Sequence, residues 1–323
     1  MKIAITGASG FIGSVLVPLL RADGHTLRLL TRSPRTQDGI TFIKGDLLHE
    51  ESLKTLVAGV DVVIHLAAII SIDDRAGEDT FRVNTSGTSL LLAAAKAAGV
   101  QRFIHISSVT AFNQSPYEGH MNESRALATT TGHNYDTSKA ASQATALAAN
   151  DTGFEVIVLA PTAVTGPFDY KPSLLGKAVI NIYNGKIPAL FPGGVDFVDV
   201  RDVAAAIVSS LTRGTPGSAY LLSGQWVSLR SLSAEIGVVK GRKISLATIP
   251  LWLVFGMLPL VRFWSRITGG PPYYTKQSVH NLIYSNKNID SSRARSELQF
   301  NPRPFSETIR DMITWFRQNG FLK

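Results

Sequence analysis

The chain has 323 residues, 45% hydrophobic and 17% charged, which excludes a disordered chain and suits one large or two closely joined folded units. It contains no cysteine, so disulfides and thiolate metal sites are excluded, and no metal is expected. The net charge of +8 is unevenly placed: residues 1–224 hold 18 basic and 19 acidic side chains, net −1, and residues 225–323 hold 14 and 5, net +9. No Lys/Arg run and no nucleic-acid signature accompanies the excess, so nucleic acid is not an expected partner. A solvated basic surface, an anionic membrane and an anionic ligand all stay open.

The opening "MKIAIT" runs straight into an apolar strand, with no room for a signal peptide, and predicts a cytoplasmic protein. Strands are predicted at Ile3–Ile5, Thr26–Leu30, Thr41–Ile43, Val60–Leu66, Phe103–Ile106 and Glu155–Leu159, all short apolar runs rich in β-branched residues. Helices are predicted between them at Phe11–Leu20, Glu51–Val57, Thr88–Ala98 and Tyr135–Ala149. The alternation implies βαβ units: an α/β fold, with a parallel sheet covered by helices on both faces. After Pro161 the pattern loosens, with turn-rich "TGPFDYKP" and "FPGGVD", and Val198–Leu211 reads as a return to the first unit. The expected division is 1–166 plus 196–224 for the nucleotide-binding unit, and 167–195 plus 225–323 for a smaller, mostly helical substrate lobe.

After the first strand and at the opening of the first helix, "ITGASGFIG" places Gly7, Gly10 and Gly13. In that setting the first glycine permits the tight turn, the second lets a pyrophosphate approach the backbone, and the third lets the helix pack on the strand. The helix N-terminus then offers free N–H groups to phosphate. At the end of the second strand, where an NAD site places an acid for the ribose hydroxyls, stands Thr31, followed by Arg32 and Arg35. Guanidinium suits a 2′-phosphate, which predicts NADP over NAD.

Ile249–Trp264 is the most apolar stretch, too short for a membrane span and interrupted by Pro250 and Pro259. A buried helix or a lid over substrate is the expectation, with a peripheral membrane contact through 249–266 as the alternative. The aromatics Trp252, Phe255, Phe263, Trp264, Tyr273 and Tyr274 are expected in the core, or else around a large hydrophobic substrate. His65 and His105 read as hydrogen-bonded strand residues, Asn84 as a tie from a helix to a loop, and Asp199 and Asp202 as anchors of the following helix.

The chain resembles the extended short-chain dehydrogenase/reductases along nearly its whole length. Eight motifs carry the resemblance in order: "TGASGFIG", "KGDL" at 44–47, "VVIHLAA" at 62–68, "VNTSGTSLLLAA" at 83–94, "ISSVTAF" at 106–112, "YDTSK" at 135–139, "PTAVTGP" at 161–167 and "FVDVRDVA" at 197–204. The dihydroflavonol-4-reductase-like and 3β-hydroxysteroid dehydrogenase-like groups are the nearest in pattern. The resemblance implies a Rossmann fold, a homodimer, and catalysis by Ser108, Tyr135 and Lys139. Cofactor contacts are expected from Gly7, Gly10, Phe11, Ile12, Gly13, Arg32, Asp46, Leu47, Ala67, Ala68, Lys139, Pro161 and Val164. Asp46 is expected at the adenine, and Pro161–Pro167 around the nicotinamide. Aligning "ISSVTAF" gives the catalytic place to Ser108. Ser107, pointing to the opposite face of an extended strand end, is left a packing or capping role.

Tyr135 and Lys139, at i and i+4, share one helical face. A tyrosine hydroxyl can protonate the alkoxide left by hydride transfer to a ketone, and a nearby cation is expected to lower its pKa. The expected activity is therefore an NADP-dependent oxidoreductase of a small hydrophobic ketone or secondary alcohol. The alternative is a nucleotide-sugar epimerase or dehydratase with tightly bound NAD(P). Many of those enzymes carry an arginine before the Asp of the late signature, where this chain has Val195. Arg201, Arg213 or an arginine of the basic lobe is the possible substitute.

Overall fold

The computed structural model describes residues 1–33, 36–69, 77–129, 134–256 and 276–322. Arg35, Phe263, Trp264, Tyr273 and Tyr274 lie outside the described residues, as does the apolar stretch beyond residue 256. The strands are β1 (Lys2–Thr6), β2 (Thr26–Thr31), β3 (Ile40–Lys44), β4 (Val62–His65), β5 (Arg102–Ile106), β6 (Glu155–Pro161), β7 (Ala163–Thr165), β8 (Ala189–Leu190), β9 (Gly194–Asp199), β10 (Ser218–Leu222), β11 (Gln225–Ser228) and β12 (Ala247–Thr248). The helices are α1 (Phe11–Ala22), α2 (Glu50–Val57), α3 (Gly77–Ala97), α4 (Asn134–Ala148), α5 (Leu174–Tyr183), α6 (Val200–Ser209), α7 (Leu229–Lys240), α8 (Lys276–Ile283), α9 (Ser292–Leu298) and α10 (Phe305–Gln318).

Seven strands form one sheet in the order β10-β6-β5-β4-β1-β2-β3. Every pairing in it is parallel. Such a sheet is buried on both faces, and the strands are accordingly apolar at successive positions rather than at alternate ones. Ile3, Ile5, Ile104, Ile106, Ile157 and Leu159 face one core, which also takes in Leu16 of α1 and Val203 of α6. Ala4, Val63, Phe103, Val156 and Val158 face the other, with residues of α2, α3 and α4. This is the doubly wound parallel sheet that the βα alternation implies.

A third core belongs to the later chain. Val179 and Tyr183 of α5, Leu232 and Ile236 of α7, and Ile309, Met312, Ile313 and Phe316 of α10 pack against Phe197 of β9 and Val227 of β11. The strands β11-β9-β7 form a small sheet beside this core. α10 buries Phe305, Ile309, Met312, Ile313 and Phe316, a spacing of three and four that draws one apolar stripe.

Two sequence expectations shift. α3 starts at Gly77, eleven residues before Thr88, because packing overrides the weak helix propensity of its polar, glycine-containing first half. At Gly87 a β-carbon would come within 2.8 Å of Leu47 Cβ, so glycine there lets α3 lie against the "KGDL" turn. The expectation that the aromatics lie in the core also fails in its described part. Within the helical residues 251–256, Trp252 is 74% exposed and Phe255 38%, and Val254 is buried. Among the described residues no helix is long and apolar enough to cross a membrane.

Candidate active site

The strand order reverses between β1 and β4, the place where open α/β sheets take ligands beyond the carboxyl ends of their strands. The loops leaving β1, β4, β5 and β6 at that edge carry the glycine turn, Ala67–Ala68, Ser108 and the segment after Pro161.

Gly7 has φ +74°, and a β-carbon there would stand 2.6 Å from Ala67 N, so the residue must be glycine to let the β4 loop cross the turn. Gly13 differs from expectation. A β-carbon on it would collide with Ala8 O, so it accommodates its own turn rather than the strand. At Gly10 only Gly7 O lies near an added β-carbon, at 3.2 Å, and the turn is open on that side. Gly10 is the N-cap of α1 without a side-chain cap, and no acid sits in the first turn. The N–H groups of Phe11, Ile12 and Gly13 therefore meet the requirement of an anion such as a dinucleotide pyrophosphate.

Thr31 Oγ1 donates to Ser33 O at 2.8 Å, and Arg32 is exposed, with no partner among the described residues. Asp46 is exposed and accepts from Leu48 N at 2.8 Å. The side chain of Leu47 is buried in the core, which leaves its backbone for any ligand. Pro161 is buried at the end of β6, and Val164 is half-buried on β7.

Tyr135 and Lys139 lie on α4, beside the end of β5. Burial pushes the Tyr135 phenol up to about 12, against a smaller opposing pull from the neighbouring Ser108 hydroxyl. Ser108 also accepts from Thr110 N at 3.2 Å and meets Thr110 Oγ1 at 3.0 Å. Lys139 is buried and donates from Nζ to Ile106 O at 2.6 Å, and burial pushes its amine down to about 8. The expected lowering of the tyrosine by a nearby cation is absent: desolvation governs both groups, and the amine that would lower the phenol is itself disfavoured as a cation. Ser107 points the other way, is buried, and donates to Gln143 Oε1 at 2.6 Å, tying β5 to α4.

Buried polar groups behind the pair were only partly legible. Asn84 does tie α3 to a loop: Oδ1 accepts from Ile69 N at 2.8 Å, and Nδ2 donates to Ile69 O and to Ser138 Oγ, both at 3.0 Å. Ser138 in turn donates to Tyr135 O. Thr88 Oγ1 donates to Asn84 O at 2.6 Å and so accepts from His65 Nε2, which leaves His65 Nδ1 to accept from Thr6 Oγ1 at 2.7 Å. Burial lowers His65 to about 3, so this chain stays neutral and fixes the tautomer. His105 departs from expectation. Its two ring nitrogens have no partner among the described residues, its ring packs 5.3 Å from that of His65, and burial holds it well below the usual histidine range. Ser138, Gln143, Thr6 and Thr88 could not have been singled out, since buried hydroxyl and amide partners leave no spacing signal in a chain.

The pattern of the NAD dependent epimerase/dehydratase family matches residues 3–223. A 32% identical relative covering all of both chains is sterol demethylase protein B of Methylococcus capsulatus. A putative dihydroflavonol 4-reductase of Synechocystis is 29% identical over 99% of this chain and 95% of its own. A 3-beta-hydroxysteroid dehydrogenase of Mycolicibacterium neoaurum is 27% identical over 93% of this chain and 87% of its own. Among solved structures, gox2253 superimposes with a TM-score of 0.82 at 27% identity, covering 100% of this chain and 99% of that one.

The chain belongs to the NAD dependent epimerase/dehydratase family. It is an enzyme of a nicotinamide-dependent class that works at hydroxyl and keto groups. Within this epimerase/dehydratase frame, the place of the diphosphate arginine holds Val195, packed against the third core. Arg201 is already engaged: it donates to both oxygens of Asp199, at 2.9 and 2.8 Å, and to Asp311 at 2.7 Å. Asp199 caps α6 through Arg201 N, and Asp202 is held by Arg303. Both acids anchor the helix as expected.

Proposed function

We propose that this family member is an NADP-dependent oxidoreductase that transfers a hydride between the nicotinamide and a hydrophobic ketone or secondary alcohol. The observation that carries the reading is Tyr135 beside the Ser108 hydroxyl with Lys139 one turn on along α4, all at the edge that holds the glycine turn. When bound, the cofactor supplies the hydride; Gly7, Gly10 and the free N–H groups of α1 would hold its pyrophosphate, and Arg32 its 2′-phosphate.

Ser108 Oγ donates to the substrate oxygen and orients the carbonyl. Tyr135 Oη holds its proton at neutral pH, since burial pushes the phenol up, and releases it to the oxygen as negative charge develops there. That protonation state favours the reductive direction. Lys139, held against Ile106 O, fixes the height of α4 over the β5 edge. Val195 and the engagement of Arg201 remove two candidate ligands for a nucleotide diphosphate and support a hydrophobic substrate. The sterol and hydroxysteroid names of two relatives point the same way.

The test is consumption of NADPH against NADH with a panel of hydrophobic ketones, run beside nucleotide sugars. NADPH is expected to be preferred by about tenfold or more, through one charge-assisted contact at Arg32. Tyr135→Phe is expected to lose about 10²–10⁴-fold in turnover. Conversion of a nucleotide sugar without net cofactor change, or a fully active Tyr135→Phe, would overturn the assignment.

A further inference from the structure

We propose that the cleft between α7 and the segment that follows it is a second binding site, which takes a phosphate group carried on an apolar body. The cleft has a volume of about 480 Å³, within the range of small-molecule sites, and shares no residue with the glycine turn or the Ser108–Tyr135–Lys139 set.

Its shape is built into the backbone. Gly241 ends α7 at φ +71°, and the chain turns back along the helix, with Arg242 N donating to Gly237 O at 3.0 Å. A β-carbon at Gly237 would lie 2.9 Å from Arg242 O and 3.0 Å from Ile244 N, so glycine is required for the returning chain to lie this close.

Its chemistry is cationic and unpaired. Arg230, Arg242 and Lys243 line the cleft and have no ion-pair or hydrogen-bond partner for their side chains among the described residues. The single carboxylate in residues 225–250 is Glu235, which does not line it. At the helix face of the cleft stands Ser233, 2% exposed, its hydroxyl without a partner among the described residues although a helical serine ordinarily bonds the carbonyl a turn back. A buried donor left unmade costs free energy, and an anion oxygen would satisfy it.

The remaining lining decides the body of the ligand. Leu190, Val238, Ile244 and Leu246 supply apolar wall, and Val238 is 76% exposed at the rim. A bare inorganic anion would leave that wall uncovered. The phosphate could belong to a membrane lipid or to a free phosphorylated molecule, which share this chemistry. The exposed Trp252, four residues past the paired end of β12, is an apolar group that a membrane surface would bury.

The experiment titrates the full chain, with NADP present to fill the glycine turn, with dihexanoyl phosphatidic acid as a monomer. Dihexanoyl phosphatidylcholine is the zwitterionic control. Phosphatidic acid is expected to bind, and the Arg242→Gln/Lys243→Gln double variant to bind it at least about tenfold more weakly, since both cations stand at the surface and their loss leaves the fold intact. Ser233→Ala is expected to weaken binding by a few-fold. No binding, equal binding of phosphatidylcholine, or an unchanged affinity in the double variant overturns the site. Co-sedimentation with phosphatidylcholine vesicles carrying about one-third phosphatidic acid assigns the phosphate to a membrane lipid. Binding of the monomer without the vesicles assigns it to a free phosphorylated molecule, and either result upholds the site.

Discussion

Lys139 stands where two demands conflict: its chain must reach across a packed helix, and its amine must be solvated to stay charged. The contact with Ile106 O satisfies one of three donors, and burial does the rest, lowering the amine to about 8. This has a consequence for stability. The unfolded chain protonates Lys139 below about 10.4, and the folded chain only below about 8, so between those values the unfolded state binds more protons and stability rises with pH. In the cofactor-free protein the expected slope is up to about 1.4 kcal/mol per pH unit across that window. Lys139→Met should flatten it, as read by urea unfolding at several pH values between the two. Tyr135 acts in the opposite sense: with its phenol raised, its contribution is complete below pH 10 and is lost as pH climbs toward 12.

At the scale of elements, the glycine turn shows why identical backbone conformations differ in consequence. Gly7 and Gly24 share a positive φ, +74° and +78°, but nothing lies within 4 Å of a β-carbon at Gly24, whereas at Gly7 it would enter the β4 loop at Ala67. Gly24→Ala is expected to cost about 1 kcal/mol, the left-handed penalty alone. Gly7→Ala should cost a further 1–3 kcal/mol from overpacking and sharply weaken dinucleotide binding. Thermal unfolding of the two variants and a cofactor titration measure the contrast. The turn's role was legible because three glycines spaced from the end of a strand into the first turn of a helix are a local signal. That Gly13 serves Ala8 rather than the strand was not, because the spacing is the same in both cases.

At the scale of the molecule, the late chain is bolted to the nucleotide-binding sheet by charge. Arg303 donates to Asp202 through Nε at 2.9 Å, Nη2 at 2.7 Å and its backbone N at 2.8 Å, and Arg201 spans from Asp199 to Asp311 of α10. Asp202 is nearly buried and Arg303 a quarter exposed, so the pair falls between the surface and buried limits. Asp202→Ala is expected to cost roughly 2 kcal/mol, since it leaves Arg303 only its longer contacts to Asp199 and Glu307 and removes an acceptor at the start of α6. Urea unfolding gives the value.

By itself the amino-acid sequence determined the alternation of strands and helices, the glycine turn at the first crossover, and the i, i+4 relation of Tyr135 to Lys139. These are periodic or local signals, carried by neighbouring residues. Tertiary structure alone decided the rest. It lengthened α3 to Gly77, where packing against Leu47 outweighs propensity. It engaged Arg201 with Asp311, 110 residues away, and gave His65 partners while leaving His105 with none among the described residues. It set the protonation of Tyr135 and Lys139 by burial, a property of everything packed around them. A pKa expected from one neighbouring charge came out with the opposite sign because desolvation sums over a volume, and no stretch of sequence encodes a volume.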